Sequence, residues 1–206
     1  MNPSNQTETE TPRAGSFERQ TSETSVEVKI DIDGAGDSEI DTGVEFFDHM
    51  LEGFSKHGLF DLRVEADGDL ETGDHHTVED VGICIGEALD NALGDKTGIR
   101  RFGDARAPLD EAVSSVVVDI SGRPYFAEDV SDDFDRERIA DMSTQMVTHF
   151  FRSLASNADL TLHVEAEGDN DHHIAESLFK AFGLALDEAT RIDERKKGVP
   201  STKGEL

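Results

Sequence analysis

The sequence predicts an α+β fold made by tandem duplication of a small sheet-plus-two-helices unit, with the two halves packed as one domain. Three observations carry that expectation. A His-His-x-x-Glu motif occurs twice, in GDHHTVED at 73–80 and in GDNDHHIAES at 168–177. Residues 48–66 lie over residues 148–166 without a gap at an offset of 100, which sets His49 over His149 and VEA over VEA. In each half, segments with the two-residue alternation of half-buried strands accompany segments with helical apolar spacing.

Taken in order, the first 17 residues are polar and without period, which predicts a disordered arm. VEVKIDID (26–33) alternates as a half-buried antiparallel strand does. Residues 45–57 have helical spacing, and His57-Gly58 supplies a stop. LFDLRVEA (59–66) is a strand, and Asp74 stands where a cap would open a helix over 75–93. RFGDARAPL (101–109) adds a strand between the halves. SSVVVDIS (114–121) then alternates like its upstream counterpart, and VVDISG (117–122) matches KIDIDG (29–34). Helical spacing over 138–156, a strand at LTLHVEA (160–166) and a helix over 172–191 behind Asp171 complete the second half. HHTVEDVGICIGEALDNA (75–92) lies over HHIAESLFKAFGLALDEA (172–189). The half-repeats are therefore 18–100 and 101–192, followed by a tail at 193–206. Pro200 stops any continuing helix, and composition alone predicts a frayed end.

Composition narrows the function classes. Asp and Glu number 46 against 19 Lys and Arg, a formal net charge of -27 spread along the chain. Periodic apolar segments set it apart from disordered acidic proteins. The combination predicts a folded protein working in concentrated salt, where a Debye length of ~3 Å at 1 M screens self-repulsion. Without a basic stripe to neutralise phosphates, nucleic acid is not an expected partner. No apolar run approaches the ~20 residues that span a bilayer, so no membrane partner and a cytoplasmic location are expected. Cys84 stands alone, which excludes disulfides and cysteine-rich zinc sites.

The paired histidines point to metal. On a helix His75 and Glu79 are four apart and His76 and Glu79 three apart, so either pair shares a face. Adjacent histidines project ~100° apart and seldom reach one ion, so each of a pair is expected to serve a different ion. His49, His75, His76, Glu79, His149, His172, His173 and Glu176 form two repeat-related sets, each enough for roughly four ligands. Imidazole and carboxylate without thiolate suit Mn, Fe, Zn or Co, with positions left for a substrate.

FFDHML (46–51), GDHHTVED (73–80), RFGDARAPLDEA (101–112), DISGRPYF (119–126), DHHIAESLFKAF (171–182) and STKGEL (201–206) together resemble the imidazoleglycerol-phosphate dehydratase family, from about residue 19 to the end. The resemblance implies removal of water from imidazole glycerol phosphate to give imidazole acetol phosphate in histidine biosynthesis. It implies two Mn2+ ions per active site and a homo-oligomer, a twenty-four-subunit shell with sites shared between subunits. Carried over by motif, one ion is held by His49, His76, Glu79 and His173, and the other by His75, His149, His172 and Glu176. Glu23, in RQTSETSVEV, matches the family's acid/base, and Arg101, Arg123, Lys180, Ser201 and Lys203 match its phosphate-binding positions. Lys180 is also placed to pair with Glu176 as an ordinary helix salt bridge, and Arg123 to close a Gly-Arg-Pro turn. One departure is Gly53 in LEGFSKHG, where the family usually has a Gln that helps position substrate. Asp110 matches a family position near the site, without an assigned role.

The implied chemistry is physically coherent. The proton to be lost sits on a carbon without a neighbouring carbonyl, so simple base catalysis is slow. Stabilising the substrate's imidazole as imidazolate lets its electrons expel the adjacent hydroxyl, and the diazafulvene-like species then acidifies the next C–H for Glu23. Two other readings accommodate the histidines: a dinuclear phosphoester hydrolase, and a metal-storage shell without catalysis. Storage sites of the ferritin kind sit on four long helices, whereas this chain is rich in strands and Gly.

Overall fold

The computed structural model describes residues 12–130 and 134–206. The first half contributes β1 (Ala14–Gln20), β2 (Thr24–Asp31), β3 (Ser38–Asp41), α1 (Glu45–Gly58), β4 (Asp61–Gly68) and α2 (His75–Leu93). The second contributes β5 (Phe102–Leu109), β6 (Ala112–Ile120), β7 (Tyr125–Asp129), β8 (Arg138–Ile139), β9 (Met142–Ser143), α3 (Gln145–Asn157), β10 (Leu160–Glu167) and α4 (Asp171–Thr190). Each half forms a four-stranded sheet, β1-β2-β4-β3 and β5-β6-β10-β7, with the last strand of each order parallel to its neighbour and the other pairs antiparallel. The duplication read from the sequence is therefore a duplication of topology.

The two halves share one core. Helix α2 packs on β1 and β2 of its own sheet and on α3 of the other half; α4 packs on β5 and β6 and on α1. Phe47 and Phe54 of α1 meet Phe150, Phe151, Phe179 and Phe182, with ring centroids 5.2 Å apart for Phe47–Phe150 and for Phe54–Phe182. Buried aromatic area of this kind dominates core energetics. Close helix approach depends on repeat-related glycines. A Cβ at Gly86 would lie 2.7 Å from the Leu154 carbonyl oxygen, and one at Gly183 would lie 2.6 Å from that of Phe54. Ser or Ala at either position would push the half-repeats apart.

Several expectations are corrected. Residues 1–11 of the expected arm lie outside the described residues, but residues 14–17 belong to β1, an edge strand paired with β2 from Ala14↔Asp31 to Gln20↔Ser25. Its residues are mostly exposed, so no alternation advertised it. Edge strand β3 is likewise mostly exposed, and β7 is half-buried through its middle without alternating. The helix expected over 138–156 begins only at Gln145. Ile139, Met142 and Met146 have helical spacing and are all buried, but the first two sit in the β8–β9 hairpin, which turns at Ala140 with φ 49°.

The helix ends also differ. Gly58 is the last residue of α1, and Leu59 takes the left-handed conformation with φ 58°. Asp74 holds the N-cap position of α2, but its side chain makes no capping bond; its carboxylate accepts from the backbone N–H and, at 2.8 Å, the hydroxyl of Ser143. Asn170, not Asp171, caps α4, accepting from the His172 N–H at 3.0 Å. Asp171 accepts from the N–H groups of Asp135 and Arg136, and Asp141 accepts from those of Glu45 and Phe46 at the start of α1. The segment from 134 to 144 thus ties together the N-terminal ends of α1, α2 and α4.

The tail is bonded rather than frayed. Gly98 N–H donates to the Gly198 carbonyl at 3.0 Å, Asp193 N–H donates to the Gly98 carbonyl at 2.9 Å, and Arg101 Nη1 donates to the Pro200 carbonyl at 2.9 Å. Leu206 backs onto Gly122, where a Cβ would come within 2.3 Å of the Leu206 carbonyl carbon. Backbone and side-chain hydrogen bonds hold it, which apolar periodicity does not report.

With a net charge of -27, the folded state suffers self-repulsion that salt relieves. The thermal unfolding midpoint should therefore rise as KCl is added from dilute to molar concentration. A midpoint that is highest in dilute buffer and falls steadily with KCl would contradict the salt-adapted reading.

Candidate metal centre

All of the candidate ligand histidines lie near helix N-termini, His49 and His149 at equivalent places on α1 and α3, and the paired histidines at the starts of α2 and α4. Because α1 packs on α4 and α3 on α2, each single histidine faces the His-x-x-x-Glu face of the opposite half. Two repeat-related clusters result. His49, His172 and Glu176 form one; His149, His75 and Glu79 form the other, with ligand atoms in each within 4.8 Å of one another. The His49 and His172 Nε2 atoms stand 3.6 and 3.1 Å from Glu176 Oε2. His75 Nε2 is 3.5 Å from Glu79 Oε2, and His149 Nε2 is 3.3 Å from Glu79 Oε1.

The i,i+4 spacing explains the membership. His75 and His172 sit one turn from Glu79 and Glu176 and share their face, while His76 and His173 point to another. The foursomes implied by the resemblance are thus not assembled within one chain: Glu79 lies with His75 and His149, and Glu176 lies with His49 and His172. His76 joins Glu23 and Asp69 instead, and His173 joins Asp110 and Glu111.

These two outlying histidines are oriented by carboxylates. His76 Nδ1 lies 3.0 Å from Asp69 Oδ1, and His173 Nδ1 lies 2.9 Å from Glu111 Oε2. That leaves Nε2 of each ring as the nitrogen for an ion, an outer partnership common among metal-binding histidines. The hydrogen bond with Asp69 holds the His76 imidazole above its ordinary pKa and the Asp69 carboxyl below the usual range. Asp69 and Glu111 were missed as orienting groups, although the repeated GD at 68–69 and 168–169 marked the first. Asp110 takes φ 50° in the turn beside Glu111.

The clusters suit a cation. His149 Nε2 is buried and makes no hydrogen bond, because the nearby Glu79 oxygen does not line up for one. An unpaired buried imidazole nitrogen costs free energy that a metal ion would recover. Burial pushes the Glu176 carboxyl up, but Lys180 Nζ at 2.6 Å, with His49 and His172, more than offsets it and leaves that group below the usual carboxylate range. The neutral donors and charged carboxylates fit a borderline divalent cation.

The expected phosphate-binding residues fall into two groups. Arg101 donates to Asp119 at 2.6 Å through Nε and reaches the tail beside Ser201; its guanidinium lies 4.8 Å from the Phe102 ring centroid. Arg123 donates from Nη1 to the Ser121 carbonyl at 3.1 Å, closing its turn. Ser201 Oγ accepts from the Lys203 N–H at 3.2 Å. Lys180 stands apart in the Glu176 cluster, as a helix salt bridge. No hydrogen bond or ion pair among the described residues joins the two groups. At Gly53, on α1 four residues beyond His49, a Cβ would meet nothing within 4 Å, so the space for a side chain is open.

A family model described as imidazoleglycerol-phosphate dehydratase matches residues 42–186. A relative of that name from Haloarcula marismortui is 59% identical over 196 residues, covering 95% of this chain and 100% of its own length. One from Halobacterium salinarum is 52% identical over 197 residues, with coverage of 95% and 100%. The crystal structure of imidazoleglycerol-phosphate dehydratase from Staphylococcus aureus subsp. aureus N315 aligns with a TM-score of 0.78 at 39% identity, covering 87% of this chain and 99% of that one. A Pyrococcus furiosus structure in complex with (S)-C348 aligns with a TM-score of 0.79 at 38% identity, covering 92% and 100%.

Proposed function

The chain belongs to the imidazoleglycerol-phosphate dehydratase family and is a metal-dependent hydro-lyase of histidine biosynthesis, and we propose that it works with two Mn2+ ions, one at each repeat-related cluster. His49, His172 and Glu176 would hold one, and His149, His75 and Glu79 the other, each completed by a paired histidine, His76 or His173, of a neighbouring copy. The observation that carries this reading is the buried, unbonded His149 Nε2 beside His75 and Glu79. When bound, the ions supply Lewis acidity toward the substrate's imidazole ring.

The remaining work falls to side chains. The Glu23 carboxylate, 3.8 Å from His76 Nδ1, accepts no hydrogen bond among the described residues and is half-exposed. It is free to take the proton from substrate carbon once the neighbouring hydroxyl leaves. Arg101, Arg123, Lys180, Ser201 and Lys203 offer the cationic and hydroxyl donors that a phosphate dianion needs on so acidic a chain. Because His76 and His173 stand outside both clusters, their use as ligands requires a second copy, which supports a homo-oligomer. The twenty-four-subunit shell implied by the family resemblance satisfies that requirement. No helix among the described residues is long and apolar enough to cross a membrane.

The test is product analysis. Purified protein with Mn2+ and imidazole glycerol phosphate should yield an enolisable ketone and release no inorganic phosphate. Phosphate release without ketone would instead identify a hydrolase, and absence of any turnover would favour a storage shell.

A further inference from the structure

Glu23 and Glu111 occupy equivalent places in the two halves. Glu23 precedes Thr24, which opens β2 opposite Gly68; Glu111 precedes Ala112, which opens β6 against Gly168. Each lies by the second histidine of its own half. Their tasks differ. Glu111 holds the His173 Nδ1, whereas in the first half Asp69 does so for His76 and leaves Glu23 unbonded.

The supports of the two glutamates differ as well. Glu111 sits in a two-residue hairpin, since Leu109 pairs directly with Ala112, and such a tight turn fixes itself. Glu23 sits in the longer connection 21–23 between β1 and β2, which needs pins. Thr21 Oγ1 accepts from the N–H groups of Glu23 at 3.1 Å and Thr24 at 3.0 Å. Thr24 Oγ1 donates to Asp80 Oδ2, and Arg19 Nε donates to Asp80 Oδ1 at 2.9 Å. Asp80, only 8% exposed, therefore clamps the end of β1 to the first residue of β2 on either side of Glu23.

The second half shows that the fold itself does not require this carboxylate. There the positions of Asp80 and Thr24 are Ser177 and Ala112, and Ser177 bonds Ser114 at 2.7 Å instead. A buried carboxylate carries a desolvation cost, offset here by its hydrogen bonds. It occurs only in the half whose glutamate is free to move a proton.

We propose that Asp80 is a positioning residue for Glu23, gripping Arg19 and Thr24 so that the 21–23 connection presents the Glu23 carboxylate beside His76. Asp80 follows the cluster residue Glu79 on α2, so one rigid helix sets both the cation and the base. The proposal rests on the reading of Glu23 as the proton acceptor. Misplacing a reacting group by about 1 Å costs on the order of a hundredfold in rate.

The experiment compares Asp80→Asn and Thr24→Val, loaded with Mn2+, alone and combined with Glu23→Gln. Each should lower kcat about 10- to 100-fold while KM and metal content stay within about twofold, and Thr24→Ser should restore kcat. In the Glu23→Gln background Asp80→Asn should add no further loss, because it acts through the group already removed. Unchanged kcat in Asp80→Asn and Thr24→Val beside an inactive Glu23→Gln would overturn this proposal alone. Metal loss matching the kcat loss in both would do the same, placing the effect at Glu79, as would an equal further loss in the Glu23→Gln background. Full turnover in Glu23→Gln would overturn the reading of Glu23, and this proposal with it.

Discussion

Glu23→Gln is expected to keep both metal ions and the assembly while losing kcat by about 10²–10⁴-fold. The amide preserves shape and removes only the proton acceptor. Glu23 is half-exposed, groups with Asp69 and His76 rather than with either proposed cation cluster, and carries no hydrogen bond through its carboxylate among the described residues, so its replacement leaves packing intact. An interaction needed only in the transition state lowers kcat and kcat/KM together. Steady-state kinetics with metal analysis on the same preparation checks both halves of the expectation. Near-normal turnover would place the base elsewhere.

His149→Ala is expected to cost one of two metal ions per chain, with loss of turnover. Its Nε2 is buried and makes no hydrogen bond, although Glu79 Oε1 lies 3.3 Å away, so a cation between the two would satisfy it. Losing an outer hydrogen-bond partner of a ligand costs about 10–100-fold in metal affinity, and losing a ligand should exceed that. The duplication sharpens the test. His49→Ala should remove the other ion, and the double variant both, as measured by elemental analysis after dialysis. Two ions retained in either single variant would show that the pseudo-symmetric assignment is wrong.

The duplicated His-His-x-x-Glu and the aligned His49 and His149 made the candidate ligands legible, because spacing survives without coordinates. Helix α2, expected over 75–93, is observed at His75–Leu93, since its periodicity is unbroken. What spacing could not show is which histidine faces which carboxylate. That depends on cross-half packing of α1 on α4 and α2 on α3, set by contacts such as Gly183 against Phe54. The β8–β9 hairpin mimics a helix in the sequence because Ile139, Met142 and Met146 bury at helical intervals by another route. Glu111 and Asp80 escaped notice because their roles lie in tertiary hydrogen bonds to His173, Thr24 and Arg19. Cys84 lies buried in α2, where burial pushes its thiol up to about 12.

In the proposed arrangement each cation is held by one helix from each half and completed by a neighbouring copy. Anomalous scattering at the manganese edge from a crystal of the loaded protein would locate the ions. Two peaks per chain are expected, one amid His49, His172 and Glu176 and one amid His75, Glu79 and His149, each also touched by His76 or His173 of another copy. A single peak per chain, or two peaks each completed within one isolated chain, would contradict it.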